Sequence, residues 1–159
     1  MNLTTCRQVS LRRGLFLASA VLTFSVLVPV TLRASERWET LEAIHWIENP
    51  YDSVRPGPFG ELGAYKFREV TWRSYTTVPF VRALDRHASD DVAVRHYEWL
   101  KSGLMRNGLP ATTYNIALAW NGGLAATVRG SVPASSRDYA ERVTNIAQGL
   151  RRAQVASNN

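Results

Sequence analysis

Cysteine is all but missing from this chain: Cys6 is the one thiol in 159 residues. An internal disulfide framework is excluded, and with it the small stapled scaffolds that replace a core by cross-links. Neither a P-loop nor a dinucleotide fingerprint occurs, so the common phosphate cradles are missing as well. No G-x-S-x-G elbow presents a serine nucleophile. His45, His87 and His96 lack the H-E-x-x-H spacing of a zinc protease helix. His45 and Glu48, at i and i+3, give two ligands where zinc needs more. No metal and no cofactor is expected. Polybasic runs and RNA-binding signatures are missing too, so no nucleic-acid partner is expected.

Apolar residues crowd the beginning of the chain. Arg7, Arg12 and Arg13 precede "GLFLASAVLTFSVLVPVTL", the uncharged run from Gly14 to Leu32, and Ala34 follows as a small residue at a cleavage point. Basic, then apolar, then small is the order of a secretory signal. The run also just reaches membrane-spanning length, so an uncleaved N-terminal anchor through 14–32 is the alternative. In both cases the arginines stay inside and the rest is exported, to the periplasm or cell envelope. The expected organisation is a signal or anchor at 1–34, one domain at 35–153 and a frayed tail at 154–159.

Four arginines and no acid lie in residues 1–34, which leaves 15 basic and 13 acidic residues, a net charge of +2, in place of the +6 of the whole chain. The exported part is an ordinary domain, expected as a monomer. A chain of this size can bury roughly two thirds of its surface, so it needs no staples.

Along that domain, Ser35 is placed to cap a helix over about 36–47, with acids in its first turns as the helix dipole prefers. Trp38, Leu41, His45 and Glu48 share a stripe, and Pro50 stops the helix. "RPGPFGELG" is turn chemistry, and 62–67 reads as one arm of a small hairpin. Short helices are expected at 67–74 and 81–86. A long one follows, capped by Ser89, with Ala93, Tyr97, Leu100 and Leu104 on one face, and Gly108 ends it. Thr112 or Thr113 opens "YNIALAW", apolar nearly all round and therefore central. A flexible stretch to Ala134 precedes a last helix, capped by Ser135 and carrying Tyr139, Val143, Ile146 and Leu150 on one face. The fold class expected is α+β, predominantly α, with a small β-hairpin or irregular element.

What remains chemically is carboxylate work. Cleaving a glycosidic bond needs an acid that still holds its proton near neutral pH. A glutamate ordinarily titrates near 4.3, and an apolar pocket raises it. Glu48 ends an apolar helix beside Trp46 and Ile47, and a helix C-terminus also disfavours negative charge. On position alone, a surface glutamate near a helix end is the commoner reading.

The surrounding residues add to this. Glu48, then "GELGAYKF", "ALAWNGG" and "RDYAERV" resemble, in order over about 37–147, motifs of the lysozyme-like superfamily, in particular lytic transglycosylases and goose-type lysozymes. Those proteins have a glutamate ending a helix, a "GAxGLMQ"-like hairpin, an "AxxYNAG" helix end and a late "Y-x-x-R-V" helix. The resemblance implies a lysozyme-like fold of two lobes with Glu48 on the wall of a groove. It implies that Gly63, Ala64 and Tyr65 line the hairpin side, Lys66 standing where a sugar-contacting glutamine is usual, and that Trp120 and Asn121 line the helical side. Asn121-Gly122 also reads simply as a helix end. Trp46, Trp72 and Trp120 are candidates for stacking on sugar rings, although tryptophans in so small a domain are more often core.

Asn49-Pro50, Lys66 and Trp120 depart from the family pattern. The activity implied is that of a peptidoglycan lytic transglycosylase. Glu48 is its general acid and then base, acting on the β-1,4 bond between N-acetylmuramic acid and N-acetylglucosamine. Asp52 and Glu61 are the candidates for a second carboxylate, Glu61 across the groove, in a hydrolytic lysozyme or chitinase-like glycosidase. A non-catalytic glycan-binding or envelope-assembly module is the alternative from another class. His45, one turn before Glu48, either orients it or packs in the helix stripe.

Overall fold

A computed structural model describes residues 30–157; residues 1–29, which carry most of the expected signal or anchor, and the last two residues lie outside the described part. The chain forms α1 (Val30–Glu48), α2 (Glu69–Arg73), α3 (Arg86–Arg106), α4 (Thr113–Gly122), α5 (Leu124–Val128) and α6 (Ala134–Ser157), with a 3-10 turn at Phe80–Leu84. The expectation of a mostly helical protein holds. No helix among the described residues is long and apolar enough to cross a membrane.

The β component comes down, among the described residues, to one antiparallel bridge between Leu62 and Phe67. Leu62 N donates to Phe67 O at 3.0 Å and Phe67 N to Leu62 O at 2.9 Å. Between them Gly63 and Lys66 take positive φ, +81° and +46°, so the chain doubles back at once. The proline- and glycine-rich loop on one side and α2 on the other leave no residues to lengthen the pair.

Helix ends depart from expectation where a different side chain takes the cap. Asp85, not Ser89, caps α3: its carboxylate accepts from Ala88 N at 3.0 Å. Ser89 is then one turn inside the helix and fully buried. Ser35 and Ser135 likewise fall inside α1 and α6, each of which begins earlier. Thr112 does cap α4, accepting from Asn115 N at 3.2 Å. Gly123, at φ +85°, ends α4 by a sharp turn that leads directly into α5, where a flexible stretch is expected from the sequence. α6 continues to Ser157, with exposed side chains from Arg152 onward.

α4 is the central helix, as its composition requires, and lies against α6, α3, α5 and α1. Ile116, Ala117, Leu118 and Ala119 are buried on it, and Ala140, Val143 and Ala147 on α6. Each fully buried Ile, Leu or Val contributes about 1.5–3 kcal/mol, and the alanines let the helix axes approach. Gly103 on α3 serves the same end: a Cβ there would lie 2.3 Å from the Leu124 side chain. Trp72 is fully buried in the core and donates its indole N–H to Val78 O at 2.8 Å, which fastens α2 to the loop after it.

Candidate active site

α1 ends where it does because Asn49 and Pro50 follow Glu48. Asn49 is buried, and its amide holds the loop: Nδ2 donates to Ser53 O at 3.0 Å and to Gly63 O at 3.1 Å, while Oδ1 accepts from Ser53 N at 2.9 Å. One side chain therefore joins the helix end, the next turn and the bridged loop. That fixes Glu48 relative to everything up to Phe67.

The loop from 55 to 61 folds back on itself. Gly57 N donates to Glu61 O at 2.9 Å, and the Glu61 carboxylate accepts from Phe59 N at 2.9 Å. A Cβ on Gly57 would lie 2.4 Å from that carboxylate, so a larger residue there would push the Glu61 side chain aside. Between this loop, the C-terminal end of α1 and the end of α4 opens a cleft of about 620 Å³, with Glu48 and Glu61 both on its wall. Phe67, Thr71, His96 and Trp120 supply the far side.

Glu48 is half-buried there. Burial, first of all, and then the negative charge of Glu61 raise its pKa above the ordinary glutamate value. A hydrogen bond from Tyr139, and after it the charges of Lys66 and Arg142, act in the opposite direction without cancelling the rise. Tyr139 Oη donates to Glu48 Oε1 at 2.7 Å, from α6 across the core. Burial, and then Glu48 itself, push the Tyr139 phenol far above its ordinary range, so it remains a donor wherever the protein is folded. The site thus offers a carboxyl that holds its proton to higher pH than usual, a fixed donor on one of its oxygens, and a second carboxylate nearby.

Of the residues expected at the site, Glu48, Glu61, Tyr65, Lys66, Trp120 and Asn121 line the cleft. Gly63 and Ala64 do not: both are buried against the other side of the bridged loop, facing Asn49, Leu84 and Arg86. Tyr65 reaches the cleft with its ring, but its hydroxyl donates to Asp90 at 2.6 Å behind it. Lys66 Nζ donates to Arg55 O at 2.9 Å, which ties the loop together. Trp120 packs among Tyr65, Phe67 and His96, with its ring centre 4.6 Å from that of His96. Asn121 is exposed, and its Oδ1 accepts from Ser136 Oγ at 2.8 Å. Trp46 is exposed and bonded to Glu42 on the outer side of α1, away from the cleft.

The ring nitrogens of His45 bond to partners other than Glu48. The histidine is buried between Asp52, 2.9 Å from Nε2, and Arg86, whose Nη1 donates to Nδ1 at 2.9 Å. Asp52 is accordingly a partner of this histidine and lies outside the cleft. Among the described residues no group of three or more His, Cys, Asp or Glu side chains is arranged to hold a metal ion.

Asn49, Tyr139 and His96 are the site residues that reading for chemistry passes over. Tyr139 carries a signal only as the first residue of "YAERV". Asn49 carries one as an Asx residue at a helix end. His96 carries none. Comparison with family models, with curated proteins and with solved structures finds no match.

Proposed function

We propose that the protein is an exported peptidoglycan lytic transglycosylase of lysozyme-like fold, with Glu48 as general acid and then base. The observation that carries this reading is the Glu48 carboxyl itself: half-buried on the wall of a cleft, with its proton affinity raised and one oxygen held by Tyr139. A general acid works best when its pKa is near the working pH, and burial moves Glu48 in that direction. The cleft volume lies within the range typical of ligand sites, and its wall of Trp120, Phe67 and Tyr65 beside polar Lys66 and Asn121 suits an amphipathic sugar.

In the cleavage step Glu48 protonates the leaving glycosidic oxygen. The resulting carboxylate then takes the proton from the 6-hydroxyl of the muramic residue, which closes onto C1. Tyr139 stabilises the carboxylate in the interval. The test is Glu48→Gln, which preserves shape and the Tyr139 contact but removes the transferable proton. Positioned acid–base groups contribute about 10²- to 10⁴-fold, so turnover of sacculi should fall by at least the lower figure while binding survives. An unchanged rate removes Glu48 from the mechanism; inactivity of both forms promotes a glycan-binding module.

Glu61 supports one second reading, a hydrolase with two carboxylates, because it shares the cleft and its charge is felt at Glu48. Its carboxylate is, however, already held by Phe59 N. Products separate the two chemistries: closure of a 1,6-anhydro ring leaves muropeptides one water lighter than hydrolysis does.

A further inference from the structure

Three helix ends meet at the face opposite the cleft. α3 runs antiparallel to α1: near its start Arg86 Nη2 donates to Glu42 at 2.8 Å, and further along Glu98 accepts from Arg37 at 2.8 Å. From Glu98 to Arg106 is about 12 Å along the axis, which brings α3 back to the level of the first turn of α1. α6 is antiparallel to α1 as well, with Tyr139 at Glu48 and Arg151 beside Glu39. It continues about 9 Å past Arg151, again close to that first turn. Val30, Thr31 and Leu32 there are the last residues of the uncharged run from Gly14. The run that reads as an anchor therefore joins the domain at the face made by the ends of α3 and α6.

That face carries the chemistry of a lipid contact. Arg106 and Arg152 are exposed on it. Met105, 61% exposed, precedes Arg106, and Val155, 63% exposed, shares a shallow hollow with Arg152. The acids of this end are engaged or drawn in: Glu98 is held by Arg37 and lies 3.9 Å from Lys101, Glu39 is buried beside Arg151, and Glu36 is half-buried. A helix C-terminus favours cations of itself, but it gives no reason for bare methionine and valine beside them. Outward cations among apolar side chains match an anionic headgroup layer, where each Lys or Arg at the surface adds about fivefold to binding.

We propose that this face rests on the anionic lipid surface of the membrane that holds the run 14–32. The inference goes beyond the glycan chemistry and rests on the anchor reading of that run, not on the Glu48 mechanism. From Leu32 to Glu48 is about 24 Å along α1. With the domain seated on its α3 and α6 ends, α1 stands as a strut. The cleft then opens that far from the headgroups, away from the bilayer.

The experiment locates the face against lipid. Full-length protein is reconstituted into vesicles of phosphatidylcholine, with or without phosphatidylglycerol, whose headgroups carry nitroxide quenchers. In a Cys6→Ser background, Met105→Cys, Val155→Cys and Val54→Cys are made singly and labelled with a fluorophore. Labels at 105 and 155 should be quenched in vesicles that contain phosphatidylglycerol, and less so as salt screens the contact. The label at 54, in the loop beyond the far end of α1, should fluoresce as it does in water. Arg106→Glu with Arg152→Glu should weaken the contact about 25-fold or more, while the protein stays on the vesicles with its circular dichroism unchanged. Arg106→Lys with Arg152→Lys should keep it. Vesicle-bound protein with unquenched labels at 105 and 155 overturns the lipid contact. So does quenching that is equal without phosphatidylglycerol or that survives charge reversal, since it reports apolar adsorption. Quenching at 54 as strong as at 155 means that the domain lies on its side, and overturns the strut. Protein that does not stay with the vesicles shows that the run is no anchor; the inference then falls and the Glu48 mechanism is untouched.

Discussion

Glu48 is balanced between opposing influences, and each can be removed singly. Burial and the Glu61 charge favour its protonated form; the Tyr139 hydroxyl and the Lys66 and Arg142 charges favour the carboxylate. In a mechanism that begins with proton donation, the alkaline limb of the kcat/KM profile follows the Glu48 pKa. Tyr139→Phe removes a donor to the carboxylate, so the limb should move to higher pH. Glu61→Gln removes a like charge, so the limb should move to lower pH. The opposite signs are the check, because general loss of structure would lower the plateau in both without separating the limbs. Limbs that move together, or not at all, would remove Glu48 as the titrating group. Little of this balance was legible in the sequence. Glu48 itself stood out by its place at a helix end, but its partner Tyr139 lies 91 residues away, and only tertiary packing brings them together.

Gly63 belongs to the scale of elements. The resemblance implied a place for it on the groove wall, whereas it is a joint between the bridged loop and the segment that leads into α3. A Cβ on Gly63 would lie 1.9 Å from Ala83 O and 3.1 Å from Ser89 Oγ, and its φ of +81° is unfavourable for any other residue. Gly63→Ala therefore combines backbone strain with a clash against a backbone carbonyl, not a flexible side chain. The expected cost is about 2–4 kcal/mol, a fall in Tm of roughly 6–15 °C by thermal unfolding. An unchanged Tm would mean that the loop shifts freely and that Asn49 does not hold it. The long helices were legible from periodicity, because α3, α4 and α6 each present a buried stripe or are buried throughout. Their starts were harder to read. Asp85 and Ser89 are both good caps by type; Asp85 takes the role, and Ser89 falls inside the helix, close to Gly63.

At the scale of the molecule, polar side chains link α1 and α6 near both ends of the pair, and one of these links lies at the candidate site. Near one end of the pair Tyr139 on α6 meets Glu48 on α1. Near the other, Arg151 Nη2 donates to Thr113 Oγ1 on α4 at 2.9 Å, and Thr113 in turn lies 3.0 Å from Thr40 Oγ1 on α1. Arg151 also stands 3.8 Å from the fully buried Glu39 of α1. The sequence suggested a frayed tail after Ala153, and nothing in its pattern marks Arg151 as different from Arg152 beside it. The fold separates the two: Arg152 is exposed, whereas Arg151 turns inward to the junction of three helices. A chain ending at Ala153 keeps that junction and should unfold within about 2 °C of the full-length protein, because the side chains removed are exposed. A chain ending at Leu150 loses the hydrogen bond to Thr113 and takes a cation from beside Glu39. Breaking a fully buried ion pair costs about 3–5 kcal/mol. The Arg151 side chain is 40% exposed, so a smaller loss of about 1–3 kcal/mol is expected, a fall in Tm of roughly 3–12 °C. Differential scanning calorimetry on the three chains measures this directly. Equal melting of the two shortened chains would mean that Arg151 carries none of the link between α1 and α6, and that the long helix pair is held by its apolar stripe alone.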